Sequence, residues 1–515
     1  MREIIYIQAG SLSNHIGTHF WNAQQSYFTY SEDEEVVINH DISFREGLSP
    51  QGGSTYCPRL LVFDRKENFG ALSVGIEMSE ETDQDPTLLW NGAVLEVRQD
   101  LIPEATYQTL LDQEVDDDPD QSQDPVQDEP VQALHSSDVR YWSDFNRVYY
   151  VPRTIQKLPD VAEWENTEGN WQLSKDTFER YDTETFLMEE PFRLFVEECD
   201  SLQGIHVTVD NATFGAFTDA FLTSFRDEFS KLPSLVFPIL SNAVPDHIDV
   251  DSMVGIRKAM NDAMCLRGFN EISSMNIPLQ NPLNWRGGPW LDGLDLDLRS
   301  PYEVSAVLSA HIETATLPLR LKSPTALAQL CKQSNFFGNT PFAELCGAFP
   351  VINAELLDQH TYNFTGFQSD VRVERQYDEF SQGLKLRGAL VSRYDSSIVS
   401  SLISLVCIAH VFSIHTPIGY PLPTSFPSFF RAQHLNAAPR RTTRGIVAPP
   451  RSAPVLSSLE LSGAMPSLFE RYAILIEDCI RRKVDWQVIG VGIDDDGVRE
   501  LRNDLWTLSD NHRAG

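Results

Sequence analysis

Residues 1–21, MREIIYIQAGSLSNHIGTHFW, decide how this chain is read. Residues 3–8 alternate weakly and are rich in Ile and Tyr, whereas Ile16, Phe20, Ala23 and Tyr27 recur at helical spacing. A strand therefore runs through Gly10 into a helix. A helix start offers unpaired N–H groups and a positive dipole end, and a glycine at the turn admits a ligand close to the backbone. The junction has the form of a phosphate site, although many α/β proteins carry the same turn and bind nothing.

Further along, FRLFVEECDSLQG (192–204) reads as a helix ending at Gly204 and IHVTV (205–209) as a strand. Residues 214–230 read as an amphipathic helix with Phe217, Phe221, Phe225 and Phe229 on its core face, and SLVFPIL (234–240) as the next strand. That β-α-β unit implies a parallel sheet covered by helices. EVSAVLSAHIETATLPLRL (303–321) predicts a long central helix, and residues 466–484 and 497–508 predict surface helices. The fold class is α/β: a parallel Rossmann-type sheet domain over 1–245, a central helix and second α/β domain over 246–425, and a C-terminal helical segment over 456–515.

Two stretches do not fit a core. LDQEVDDDPDQSQDPVQDEP (111–130) lies in a region without a basic residue between Arg98 and Arg140, and predicts a disordered acidic insertion over 112–137. FRAQHLNAAPRRTTRGIVAPPRSAPV (430–455) carries Arg431, Arg440, Arg441, Arg444 and Arg451 with no acid, and predicts a flexible Arg/Pro-rich loop over 426–455.

The whole chain has 515 residues, 42% hydrophobic, with 40 basic against 74 acidic side chains and a formal charge of −34. That balance suits a multidomain globular protein and opposes direct contact with nucleic acid or anionic lipid. Cys57, Cys199, Cys265, Cys331, Cys346, Cys407 and Cys479 form no C-x-x-C pair, which predicts reduced, mostly buried thiols. The opening residues resemble neither a signal peptide nor a transit helix. SSIVSSLISLVCIAHVFSI (396–414) is uncharged but broken by serines and His410, and reads as a buried helix leading into a strand.

The opening stretch resembles the tubulin N-terminus, where M-R-E-I, I-Q-A-G and N-x-I-G occur at the same spacing. YCPRLLVFD (56–64), ECDSLQG (198–204) and LFERYAILIEDCIRRKVDW (468–486) are similar to further tubulin segments, so the resemblance runs from end to end. Tubulins hold phosphates with G-G-G-T-G-[ST]-G; here DNATFGAF (210–217) keeps only Thr213 and Gly215, with Ala212 and Phe214 where glycines belong and Asp210 adding a negative charge. The tubulin Gln-Cys pair is Ser11-Leu12, the base-contacting helix keeps only Tyr302, and LRLKSPTALAQLC (319–331) lacks the catalytic-acid pattern. If any nucleotide binding is retained, the resemblance assigns it to Gly10, Ser11, Asn14, Thr213 and Gly215.

With these losses and the segments VRYWSDF (139–145), VEECDSLQG (196–204) and GYPLPTSFPSFF (419–430), the chain resembles a fungal member of the Misato family. The resemblance implies a non-enzymatic role in mitochondrial distribution, morphology and mitochondrial DNA inheritance. It implies tubulin or chaperonin subunits, or a mitochondrial outer-surface receptor, as partners. It places the protein in the cytoplasm and on the cytosolic face of the mitochondrion, with peripheral membrane association at most. Two other readings stay open: a degenerate GTP-binding switch, and a tubulin assembly or folding factor that affects mitochondria indirectly.

No other constellation points to an enzyme or a metal: P-loop, H-E-x-x-H, G-x-S-x-G and zinc spacings are all missing from the sequence. Asp494, Asp495 and Asp496 read as a solvated helix cap, His15 and His19 as an ordinary exposed or hydrogen-bonded pair, and Arg481, Arg482 and Lys483 as cations at a helix end. No catalytic residue, metal ligand or resident cofactor is expected, with GTP the one cofactor left open.

Overall fold

The computed structural model describes residues 2–28, 37–48, 54–72, 102–109, 136–158, 168–249, 252–335, 338, 341–351, 357–366, 388–392, 411–416, 418–431, 452–460 and 464–514. The chain opens with β1 (Ile4–Ala9), α1 (Ser11–Gln25), β2 (Phe44–Leu48), β3 (Ser54–Pro58), β4 (Leu60–Arg65) and β5 (Ile155–Leu158). Then come α2 (Trp171–Thr185), β6 (Gly204–Asp210), α3 (Asn211–Glu228), β7 (Ser234–Ile239), α4 (Met253–Ile272) and β8 (Met275–Asn276). Next are α5 (Pro301–Thr316), α6 (Leu327–Ser334), β9 (Glu344–Ala348), β10 (Tyr362–Asn363), β11 (Gly388–Ser392) and β12 (Val411–His415). The last elements are β13 (Tyr420–Pro421), β14 (Ser452–Ala453), β15 (Leu456–Glu460), α7 (Ala464–Arg481) and α8 (Asp495–Ala514).

The first sheet is parallel throughout, in the order β5-β4-β1-β6-β7-β8. Its strands are apolar on both faces because helices cover both: all six residues of β1 are buried. The chain runs outward from β1 to β5, then returns to lay β6 on the other side of β1, pairing Ala9 with Val209. The direction of winding reverses between β1 and β6, so a crevice at the carboxyl ends of these two strands is where such a sheet would take a ligand.

One face of this sheet carries α1, which is itself covered by α5. Ser300 caps α5 by accepting from the Glu303 N–H, and Pro301 takes the first helical position, where its missing N–H costs nothing. Residues Val304–Thr316 are buried all round, because α5 lies between α1 and the second sheet, ordered β10-β9-β15-β11-β12. The opposite face of the first sheet is covered by α2 and α3, where Phe217, Phe221 and Phe225 join Phe63, Phe178 and Phe192. A third core forms where α7 and α8 pack on α4 around Met260, Met264, Phe469 and Leu505.

The helix expected over 192–204 ends earlier, at Glu197, after a π-turn at Met188–Phe192. Gly204 does not close it; with φ +146° it opens β6. The reason is tertiary: Glu3 accepts from the Ser201 N–H at 2.9 Å and its carbonyl from the Gln203 N–H at 2.8 Å, pulling the chain onto the end of β1. Beyond residue 245, β8 still pairs with β7 in the first sheet, and α4 packs on α3. Residues 112–135, 393–410 and 432–451, which hold most of the acidic insertion, the helix read before residue 411 and most of the Arg/Pro-rich loop, lie outside the described residues. The strand into which that helix was expected to lead corresponds to β12, Val411–His415.

Candidate functional site

The candidate site is the junction at the carboxyl ends of β1, β4 and β6. Gly10 leaves β1 at φ +99° and ψ 157°, donates its N–H to the Phe63 carbonyl at 3.1 Å and starts α1. Only glycine is at ease in that conformation. Across from it, Asp210 ends β6 and caps α3, its carboxylate accepting the Ala212 N–H at 3.3 Å. A β-carbon on Gly10 would stand 2.6 Å from the Asp210 β-carbon, 3.1 Å from the Phe214 ring and 3.2 Å from the Thr213 hydroxyl. The space between the two turns is taken by the protein's own side chains.

The helix N-terminus is also covered from outside. The Gly169 N–H donates to the Ala212 carbonyl at 2.8 Å, the Ser174 hydroxyl donates to the Thr213 carbonyl at 3.3 Å and accepts the Phe217 N–H at 3.1 Å. Glu168 is held by an ion pair with Lys258 and by the Arg257 guanidinium, which donates to its carbonyl at 2.9 Å. The gap left between Gly169, Ser174, Thr213 and Asn261 has a cavity volume of about 10 Å³, room for about one water molecule.

The third wall comes from β4. Asp64, 1% exposed, accepts from Asn14 at 2.9 Å, Asn68 at 2.7 Å and the Trp142 indole at 3.2 Å, while burial pushes its carboxyl up. Asn14 also donates to the Phe63 carbonyl at 3.1 Å. Phe145, three residues after Trp142, packs against His19 (4.5 Å between ring centres) and Tyr302 (4.8 Å). The Tyr302 hydroxyl donates to the Ser425 carbonyl at 2.7 Å, so the residue aligned with the tubulin base-contacting helix is committed within the fold.

Burial sets the proton chemistry here. It pushes Asp210 up to about 7, with Glu168, Asp64 and Asp262 adding to the rise and the Ala212 N–H opposing it. It holds His15 down to about 4 and His19 to about 3; their rings donate to the Ser11 and Tyr302 carbonyls at 2.8 and 2.9 Å. These histidines are buried and hydrogen-bonded, not exposed.

Comparison with known proteins accords with this architecture. A family model described as the Misato Segment II tubulin-like domain matches residues 2–113, and a tubulin domain model matches residues 131–321. A Gibberella zeae relative, protein DML1, is 36% identical over 355 residues, which is 67% of each chain. The chain belongs to the Misato family. A second relative of the family, protein dml-1 from Neurospora crassa, is 33% identical over 71% of this chain and 66% of its own length. Protein misato from Drosophila melanogaster is 29% identical over 64% and 62%.

In this Misato-family chain Gly10, Asn14 and Thr213, three of the five residues named from the tubulin pattern, lie at the strand-end junction, and each has contacts within the fold. Gly10 backs onto Asp210, and Asn14 holds Asp64. The Ser11 carbonyl accepts from the His15 ring. The Thr213 hydroxyl is buried without a hydrogen-bond partner. Gly215 faces α4, where a β-carbon would stand 2.4 Å from the Cys265 sulfur. Sequence reasoning missed Asp64, Glu168–Ser174 and Phe145 as walls of the site; the available signals were the Asp that ends YCPRLLVFD and the Trp and Phe of VRYWSDF, both used only as family marks.

Three of the remaining candidates have structural partners. Asp494 caps α8, its carboxylate accepting the Gly497 N–H at 2.8 Å, and Asp496 pairs with Arg499 at 2.6 Å. Arg481 pairs with Asp478 at 2.9 Å. No group of three metal-ligating side chains occurs among the described residues. No described helix is long and apolar enough to cross a membrane.

Proposed function

We propose that this chain is a tubulin-like scaffold that acts through protein partners, without nucleotide turnover, in mitochondrial distribution and mitochondrial DNA inheritance. The observation that supports the non-enzymatic half is the close packing of Asp210, Thr213 and Phe214 against Gly10, at the strand ends where a sheet of this kind would take a phosphate. Phosphoryl transfer depends on positioning and charge stabilisation, and a carboxylate at the helix start opposes both. The mitochondrial half rests on the family. In this reading the partners are tubulin or chaperonin subunits or a mitochondrial surface receptor, and the protein meets the mitochondrion from its cytosolic face.

Two measurements test the proposal. Protein purified without added nucleotide, then heat-denatured, is expected to release less than one guanine nucleotide per ten chains and to show no GTP hydrolysis above background. Stoichiometric GDP or GTP would replace the scaffold reading with that of a nucleotide switch. Depletion in cells is expected to collapse the mitochondrial network while leaving microtubules intact; loss of microtubules first would favour a tubulin assembly or folding factor instead.

A further inference from the structure

Phe186 breaks a local rule. It follows α2 in the left-handed region, at φ 51° and ψ 41°, which costs a bulky side chain on the order of 1 kcal/mol, yet its ring is 55% exposed and repays little by burial. Its carbonyl accepts from both Glu189 (3.0 Å) and Glu190 (2.8 Å), and the π-turn that follows is closed by the Phe192 N–H on the Leu187 carbonyl at 2.9 Å. Turns of this kind recur at functional sites.

The turn sorts the side chains cleanly. Leu187, Met188, Phe192 and Phe195 are buried, while Phe186, Glu189, Glu190, Arg193, Leu194 and Glu197 are exposed. The exposed set is spaced 3, 1, 3, 1 and 3 residues apart, the rhythm of one helical face. Phe186 and Leu194, the latter 45% exposed, therefore stand on the same solvent side, separated by the π-turn and the α-turn that follows it. Between and around them, residues 182–197 hold five acids, Asp182, Glu184, Glu189, Glu190 and Glu197, against one base, Arg193, already paired with Glu197 at 2.9 Å.

We propose that this stripe is a docking face for a basic amphipathic helix of a protein partner. Two apolar anchors on the same solvent side match the apolar seam of a partner helix, and the glutamates match lysines or arginines flanking that seam. The phenylalanine ring presents an anchor that glycine, the residue this backbone favours, cannot. The inference stands on the stripe alone and not on the mitochondrial reading.

The test uses the full chain and a labelled 18-residue synthetic helix, leucines on one face and lysines and arginines elsewhere, followed by fluorescence anisotropy. A peptide of the same composition with its leucines scattered round the helix is the control. The seamed peptide is expected to bind at least tenfold more tightly than the control, and to weaken severalfold on raising salt from 50 to 300 mM. Phe186→Gly is expected to weaken binding at least tenfold while leaving the thermal midpoint unchanged or higher, and Leu194→Ser to weaken binding severalfold. Equal binding of the two peptides, no binding, unchanged binding by Phe186→Gly, or a lowered midpoint for that variant would each overturn the proposal. So would a stripe covered by a second copy, seen as dimerisation that Phe186→Gly abolishes.

Discussion

Gly10 and Asp210 back onto one another across the point where the sheet reverses direction, so closely that a β-carbon on the first would lie 2.6 Å from that of the second. The contact joins the two halves of the first sheet at the place where related folds keep a ligand. In this chain the glycine serves protein packing, and that difference can be measured.

Gly10→Ala is expected to destabilise the protein by roughly 2 kcal/mol or more, since it adds both a positive-φ penalty and an overlap with backbone-anchored atoms. Urea unfolding should show a lower midpoint with an unchanged slope. A midpoint like that of the parent would mean that the gap opens freely and that the closure described above is not a fixed part of the fold.

Gly215→Ala should likewise destabilise, through the Cys265 sulfur 2.4 Å from the added β-carbon. Its partner supplies the control. Cys265→Ala in the same chain is expected to recover most of the loss, because it removes the overlapping atom; failure to recover would place the role of Gly215 elsewhere than in the α3–α4 contact.

Arg320 and Glu313 form an ion pair with neither side chain exposed, and Glu313 also accepts from Gln24 at 3.0 Å and Tyr27 at 3.2 Å. Arg320→Met should cost about 3–5 kcal/mol, because it leaves a buried carboxylate without its cation. The double variant Arg320→Met with Glu313→Gln should be markedly more stable than the single one. Equal stability of the two would show that Glu313 keeps a compensating partner or takes up a proton at little cost.

Stability should peak near neutral pH, with a different cause for each limb. His15, His19, His206 and His311 are held by burial at about 4, 3, 3 and 3, so the unfolded chain binds more protons below its ordinary histidine value of 6.5 and stability falls as the pH drops from there. Asp210, Asp219 and Asp262 are raised by burial to about 7, 6 and 6; their contribution is complete below 3.8 and is lost as the pH rises through 6 to 7. Urea midpoints at pH 5, 6.5 and 8 would show the two limbs. Asp210→Asn should flatten the loss between pH 6.5 and 8, and an unaltered slope there would exclude Asp210 as a source of it.

Much of the architecture was legible because it depends on periodicity. The Ile-rich stretch before Gly10, the phenylalanines four apart in α3 and the unbroken apolar face of α5 each state their own burial, and no distant residue is needed to interpret them. The capping role of Asp494 is of the same local kind, as its carboxylate meets an N–H three residues on. Helix ends were less legible: Glu3 decides where the segment before β6 stops, from 198 residues away.

What the sequence determined by itself was the strand-to-helix start, the β6-α3-β7 unit, the central and C-terminal helices and the α/β class, since these follow from residue type and spacing; the missing glycines of the turn after β6 follow from its resemblance to the tubulin loop. Only the tertiary structure decided what fills the place left by those glycines. Asp210, Phe214 and the Glu168–Ser174 segment come from the β6–α3 turn and from the approach to α2, and Trp142 and Phe145 from a third stretch before β5. They meet because the sheet reverses between β1 and β6 and gathers three strand ends into one crevice. A pocket is closed by volume and contact between residues far apart in the chain, and neither is written in the spacing of any one segment.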